Sequence, residues 1–458
     1  MHWEAAVTLI DLTLPVVRDP QVHALPVAII GAGPIGLAAA ANLVEREMPF
    51  EVFEAGDQVA ESIRSWGHTR LFSPWRQLID PASRRLLAAS GWTGPDEDAR
   101  PTGSELVDEY LTPLAGLPAI ADHVRTGAEI VAVSRAGYDR TRTAGRATAP
   151  FLLRVRATDG TVTETRSRAV IDASGTYRTP NALASSGLDP LGAEEVGDLI
   201  AQALPDVLGT DRPRFAGTHA VVVGAGHSAA NTLLTLADLA AEEPGTRVTW
   251  VIRNAGAVRV TTSEDDELPA RASIGRRVDQ LVTAGVIELM DRFETIRLRR
   301  DGDQVTLIGD RAGNVEEVTG DVVVNATGFR PDLGPLREIR LDLDDIVEAP
   351  KRLAPLIDPN VHTCGTVAPH GFTELTHPED DFYIAGMKSY GRAPTFLLAT
   401  GYEQVRSITA HLAGDEVAAT RVELTLPATG VCSTSLPSRT AVGAASSGCG
   451  PSPASSCS

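Results

Sequence analysis

The sequence predicts an α/β chain built from two Rossmann-like dinucleotide-binding domains, the second inserted into the first. Three observations predict it. A strand, a glycine turn and a helix occur twice, as VAIIGAGPIGLAAAANLVERE from Val27 and as HAVVVGAGHSAANTLLTLADLAAEE from His219. The turns begin at Gly31 and Gly224, 193 residues apart, a spacing for a repeated domain and not for a solenoid. Two strand-to-glycine junctions, AVIDASGTYRTP around Gly175 and DVVVNATGFRPD around Gly328, each run into a proline, as a chain crossing between domains would.

Composition agrees with this class and excludes others. The 458 residues, 43% hydrophobic and 22% charged, suffice for two or three buried cores and rule out wholesale disorder. A formal charge of −19 repels phosphate backbones, so nucleic acid is not an expected partner. No run of 18 apolar residues occurs, and the N-terminal MHWEAAVTLIDLTLPVV carries Glu4 and Asp11 where a secretory signal carries positive charge. The expectation is a cytoplasmic protein without membrane partners. The four cysteines, Cys364 alone and Cys432, Cys449 and Cys457 near the end, form no disulfide framework.

Taken in order, residues 1–25 show no sustained period and read as an arm. The first domain opens over 26–180: strand, glycine turn, Ala/Leu-rich helix, then a second strand, PFEVFEAG, ending in Glu54. Within it Glu129–Val133 and Phe151–Arg156 alternate polar and apolar residues as paired strands do, around a Gly/Arg/Thr-rich loop. A linker is assigned to 181–215 and the second domain to 216–320, whose second strand, RVTWVIR, ends in Arg253. The first domain returns over 321–427, with a last helix from about Pro394 to Leu412 and a short strand, VELTLP. From Ala428 the 31 remaining residues hold nine Ser, four Gly, three Pro and one charge, Arg439, and cannot build a core.

The glycine turns carry the chemistry. In GAGPIG, Gly31 permits the tight turn, Gly33 lets the backbone approach a pyrophosphate and Gly36 lets helix and strand pack closely. The phosphate then meets a helix N-terminus with free N–H groups and partial positive charge. Glu54 closes the next strand, where a carboxylate can hold ribose hydroxyls. The second turn, from Gly224 through Gly226 and Ser228, has Ala229 as its third small residue and Arg253 at its strand end. A guanidinium there suits a 2′-phosphate, which favours NADP over NAD. His227, inside the turn, reads as a helix-start packing residue.

The two fingerprints, the DASGTY and NATGFRPD junctions and the closing FYIAGMKSYGRAPTFLLATGYEQVRSI resemble the superfamily of two-domain flavoproteins that includes flavin-containing monooxygenases, Baeyer–Villiger monooxygenases and ornithine/lysine N-hydroxylases. The resemblance runs from about Pro26 to Leu412. It implies FAD on the first fingerprint, NADPH on the second, and the N-terminus of the last helix directed at the flavin ring. Carried onto this sequence, FAD contacts fall on Gly31, Gly33, Gly36, Glu54, Gly175 and Gly386, and NADPH contacts on Gly224, Gly226, Ser228 and Arg253, with Gly328 lining the cofactors at the second junction. The implied reaction is monooxygenation of a small nitrogen- or sulfur-type nucleophile through a C4a-peroxyflavin, with a small-molecule substrate and oxygen as partners. Lys388 is expected to stabilise charge on the reduced flavin, an interdomain salt bridge being its other reading.

The sequence departs from those families in three places. The stretch before the second turn, FAGTHAVVVG, lacks the histidine spacing of the flavin-containing and Baeyer–Villiger types. No CxxC occurs, which excludes reduction through an internal dithiol of that spacing. Gly386 is followed by Met387 and Lys388 instead of an aspartate. The segment SIRSWGHTRLFSPWRQLID sits where related monooxygenases run along the isoalloxazine, so Trp66, Arg70 and Ser73 are expected to face it. VHTCGTVAPHGFTELTHPEDD gathers His362, Cys364, His370 and His377 at spacings that match no zinc pattern; it reads as a roof over the substrate, with His370 as a catalytic candidate. Two other functions stay open on the same residues: a reductase of another acceptor, in which the tail thiols take part, and a nucleotide-sensing module. Self-association is left open.

Overall fold

In a computed structural model, residues 20–255, 269–358, 369–393 and 396–424 are described. The chain builds one kind of unit twice. Strand β1 (Val27–Ile30) is buried on all four residues, as a central parallel strand must be when helices cover both faces. Helix α1 (Pro34–Glu45) follows, started by Pro34 in its first turn and buried along Ile35–Leu43, where the alanine run lets it lie close against the sheet. Strand β2 (Phe50–Phe53) comes next, then α2 (Pro81–Ala89), whose N-cap Asp80 accepts from Ser83 N at 2.7 Å, and β3 (Val124–Arg125). An antiparallel layer interrupts the pattern: β4 (Ala128–Arg135), β5 (Phe151–Ala157) and β6 (Val162–Ser167). Strand β7 (Ala169–Asp172) then returns beside β1, with Ile30 opposite Asp172.

The second unit repeats this order. After β8 (Ile200–Gln202) come β9 (His219–Val223), α3 (His227–Glu242), β10 (Arg247–Val251), α4 (Pro269–Thr283) and β11 (Glu288–Met290). A second antiparallel layer follows, β12 (Phe293–Asp301), β13 (Gln304–Arg311) and β14 (Asn314–Gly320), and then β15 (Val322–Asn325) beside β9. The chain goes back to the first unit with β16 (Phe382–Ile384), which pairs with β7, and closes on α5 (Leu398–Leu412).

The two parallel sheets run β16-β7-β1-β2-β3 and β8-β15-β9-β10-β11, so β8 holds in the second sheet the edge that β16 holds in the first. The second unit is thus inserted between β7 and β16. Each sheet buries one face under its own helices and the other under its own antiparallel layer, giving four apolar clusters. Three details differ from the sequence reading. The stretch 181–215, taken as a linker, supplies β8, which is too short to show a period. The second sheet extends to Asn325, beyond residue 320, because β15 follows β14 after a single residue. The strand expected from Val422 does not form through Leu424: Glu423 N donates to Glu403 on α5 and Arg421 pairs with Glu423, so the segment lies on a helix and meets no sheet edge.

Candidate functional site

The first glycine turn leaves β1 with Gly31 at φ +97°, where a Cβ would stand 2.9 Å from Ala173 O. A Cβ on Gly36 would stand 1.9 Å from Gly31 O, so the third glycine is what lets α1 close on the turn. Gly33 is the opposite case, since a Cβ there would meet nothing within 4 Å. Gly33 is also the N-cap of α1, with no side chain capping it. Backbone N–H groups of the first turn therefore face open space, the setting that receives a pyrophosphate. Glu54, just past β2, accepts from Ala32 N at 2.7 Å through Oε2 and from Gly56 N at 2.9 Å through Oε1. Its carboxylate is fixed at the rim of the turn.

The second turn has the same build. Gly224 has φ +131° and a Cβ on it would stand 2.1 Å from Ala326 O, while Gly226, the uncapped N-cap of α3, faces open space. Ala229 takes the third position, fully buried. Where Glu54 stands in the first unit, the second has Ile252, 2% exposed. Arg253, one residue further, is exposed and makes no ion pair or hydrogen bond among the described residues. A cleft of about 530 Å³ brings together Gly224, Gly226, Ser228 and Arg253 with Gly328 and, from the first unit, Met387 and Ala393. Phe72 reaches across to His227, ring centroids 5.9 Å apart, so the two units touch at the second turn. His227 therefore joins the units as well as starting α3. Both turns fit a dinucleotide.

The two junctions are also built alike. After β7, Asp172 Oδ1 accepts from Ser174 N at 3.1 Å and Ser174 Oγ at 2.6 Å; after β15, Asn325 Oδ1 accepts from Thr327 N at 3.2 Å and Thr327 Oγ1 at 2.7 Å. Gly175 and Gly328 follow these turns. Between the units, Pro180 bridges Phe329 in antiparallel fashion and Asn181 O accepts from Asn325 Nδ2, so the two crossings run as one ribbon.

Lys388 is 3% exposed and donates to Asp172 Oδ2 at 2.7 Å and Ser174 Oγ at 3.0 Å. This corrects the interdomain reading, because both partners belong to the first unit. Its charge is already met by a carboxylate. Gly386 N donates to Gln404 Oε1 on α5 at 2.7 Å; Gln404 Nε2 then faces Ser389 Oγ at 3.0 Å and His370 Nε2 at 2.9 Å. With the amide oxygen taken by Gly386, the amide nitrogen donates and His370 accepts. His370 is 2% exposed and lies outside the lining of this cleft; it holds Gln404, which holds Gly386. His362 and Cys364 lie outside the described residues, as do Cys432, Cys449 and Cys457. His377 is buried against Phe382, and burial lowers its pKa to about 4.

The three residues expected along the isoalloxazine lie outside the cleft of the second turn, as the first glycine turn itself does. The Trp66 ring packs on Gly103, which is why that position has no side chain. Arg70 donates to Arg100 O and lies 3.5 Å from Glu105, held by the strand-like pairing of Arg70 with Thr102. Ser73 lines a separate cavity of about 230 Å³ with Asp80, Leu398 and Tyr402. Burial raises the Asp80 carboxyl to about 6, against the opposing hydrogen bonds from Ser83. Asp172, Gln404 and Met387 are the site residues that sequence reasoning missed. Asp172 alone left a signal, an acid at the end of an otherwise apolar buried strand.

Two family models match the chain: pyridine nucleotide-disulphide oxidoreductase over residues 152–362 and NAD(P)-binding Rossmann-like domain over residues 29–83. Among solved structures it is similar to the bacillithiol disulfide reductase of Bacillus cereus, at 19% identity and TM-score 0.63, covering 85% of this chain and 99% of that one. It is similar to an FAD-bound cadaverine monooxygenase of desferrioxamine biosynthesis from Erwinia amylovora, at 13% and 0.61, covering 89% and 99%. A Kutzneria ornithine N-hydroxylase with reduced FAD, NADP+ and L-ornithine matches at 17% and 0.57, covering 86% and 98%. At such identities the likeness is one of fold. No curated protein matches the sequence. The chain is an FAD- and NAD(P)-dependent oxidoreductase with the fold of the two-dinucleotide-domain flavoproteins.

Proposed function

We propose that this FAD- and NAD(P)-dependent oxidoreductase is a monooxygenase for a small substrate with a nucleophilic nitrogen or sulfur. NADPH, dioxygen, a proton and the substrate give NADP+, water and the oxygenated product. Gly31, Gly33, Gly36, Glu54, Gly175 and Gly386 would hold FAD; Gly224, Gly226, Ser228, Arg253 and Gly328 would hold NADPH. Bound FAD supplies hydride acceptance and, once reduced, oxygen activation. The protein's part is to hold and orient both dinucleotides, one on each glycine turn.

The observation that carries this reading is the lining of that cleft. The nicotinamide-side turn faces Met387 and Ala393 of the first unit, and no thiol stands among the described lining residues. With no CxxC in the chain, electrons have no internal dithiol of that kind to pass through, and the proposal takes oxygen as their acceptor. Fold neighbours that are N-hydroxylases support the same direction. Among the described residues no helix is long and apolar enough to cross a membrane.

The test supplies FAD-loaded protein with NADPH, labelled dioxygen and a panel of small amines, thiols and thioethers. The expected result is one labelled oxygen atom in a product per NADPH consumed, with little peroxide. Anaerobic NADPH oxidation driven by a disulfide or another acceptor, with no labelled product, would replace this reading with the reductase one.

A further inference from the structure

The repeat within the chain supplies its own control for one buried charge. At the end of β7 and at the end of β15 the same turn is made, by Asp172 with Ser174 and by Asn325 with Thr327, with equivalent hydrogen bonds to backbone and hydroxyl. A neutral amide is therefore enough for the turn. Only the first unit uses an acid, and only there does a cation meet it. Gly386 lies two residues past β16 and Lys388 four; in the second unit the same steps past β8 reach Leu204 and Asp206, whose carboxylate accepts from Thr210. The Lys388 and Asp172 side chains are 3% and 2% exposed. A buried ion pair is weak evidence for stability, since desolvating both charges offsets their attraction. The fold thus explains the turn and leaves the charges unexplained.

Their place supplies the explanation. Asp172 ends the strand next to β1, and the following peptide, Ala173 O, is the atom nearest to where a Cβ on Gly31 would be, at 2.9 Å. The Lys388 loop begins at Gly386, which packs on Ile35 in the first turn of α1. The pair joins two walls of the first cradle at the carboxyl ends of the strands, where open α/β sheets bind their ligands. Lys388 Nζ spends two of its three hydrogens on Asp172 and Ser174.

We propose that Asp172 and Lys388 are a charge-balanced pair in which each charge acts on the reduction potential of the flavin held by the first unit and cancels the other, with Asp172 as the positioning residue that fixes and offsets the Lys388 ammonium. The proposal rests on FAD occupying the first cradle and not on the oxygen chemistry. In a low-dielectric site, an uncompensated cation favours the anionic reduced flavin and an uncompensated anion disfavours it.

The experiment is a reductive titration of FAD-loaded Asp172→Asn, Lys388→Met and the double variant, with FAD affinity and thermal unfolding measured on each. The double variant removes both buried charges and keeps an amide that makes the same turn in the second unit, so it is expected to fold, while each single variant leaves one buried charge unpaired and is read beside its unfolding curve. The midpoint potential should rise in Asp172→Asn, fall in Lys388→Met, and return close to that of the parent protein in the double variant. Potentials that stay put, or move in one direction in all three while FAD remains bound, overturn the proposal and leave the pair a structural bolt. Failure of the parent protein to bind FAD in the first cradle would instead strike the cofactor assignment. Lys388→Arg, which keeps the charge, should keep the potential.

Discussion

In the first unit the strand after the glycine turn runs into Glu54, whose carboxylate is held by the N–H groups of Ala32 and Gly56; in the second the same step reaches buried Ile252, and an exposed Arg253 comes next. The backbones are alike: positive φ at Gly31 and Gly224, open space at Gly33 and Gly226, uncapped N-caps on α1 and α3. The difference teaches how one fold handles two dinucleotides. A fixed acid suits free ribose hydroxyls and is ordered before ligand arrives; an exposed guanidinium at a cleft rim suits a phosphorylated ribose that must come and go.

The comparison can be broken most sharply at its shared feature. Gly33→Ala and Gly226→Ala each place a methyl group in open space, so neither should unfold the chain, and each should cost at least about 100-fold in affinity for one cofactor only. Equilibrium titration of FAD and of NADP+ against both variants checks this; loss of the same cofactor in both would mean that the units are not two separate sites. Gly36→Ala is expected to behave differently, because its Cβ would stand 1.9 Å from Gly31 O, and to lose folded protein outright.

A smaller effect sharpens the contrast at the strand ends. Replacing Arg253 by Ala should raise the KM for NADPH about 10- to 100-fold, the worth of a charge-assisted hydrogen bond or two, with kcat and the NADH kinetics little changed. Glu54→Gln retains one acceptor oxygen for two backbone donors and should weaken FAD binding about tenfold, leaving NADPH affinity untouched. An Arg253→Ala enzyme whose NADPH and NADH constants move together would show that the guanidinium does not read the 2′-phosphate.

A last effect concerns pH, and it sets two buried groups of the first unit against each other. Asp80, in the first unit, has its folded-state pKa raised from 3.8 to about 6 by burial. The folded protein holds that proton more tightly, so Asp80 stabilises the fold fully below about pH 4, and this contribution, on the order of 3 kcal/mol, is lost as pH rises to 6. His377 acts oppositely: lowered from 6.5 to about 4, it contributes stability above pH 6.5 that is lost as pH falls toward 4. In denaturant unfolding, Asp80→Asn should gain on the parent protein as pH goes from 4 to 6, and His377→Gln should gain as it goes from 6.5 to 4. Identical slopes in parent and variants would contradict both assignments.

Much of the frame was legible because its signals are local. Glycines that must take positive φ, an alanine-rich helix and all-apolar strands mark β1, α1, β9 and α3 within a few residues of one another. The layer β12–β14 was not seen: strands such as NVEEVTG are mostly polar on their outer face and give little apolar alternation. The site was legible where it is backbone and illegible where it is side chain. Lys388 was found from its motif, yet its partner Asp172 lies 216 positions away, and Gln404 is one polar residue on a helix whose burial depends on the sheet beneath it. Trp66 and Arg70 show the converse, aromatic and basic residues in a suggestive segment that the fold ties to Gly103 and Glu105.

The most direct test of the central claim is anaerobic stopped-flow reduction of the FAD-loaded protein by NADPH or NADH, followed by mixing with oxygen. Fast bleaching that favours NADPH is expected, then reoxidation through a spectrally distinct phase before oxidised flavin returns. Equal reduction by both nicotinamides, or a single-phase return with one peroxide per NADPH, would contradict it.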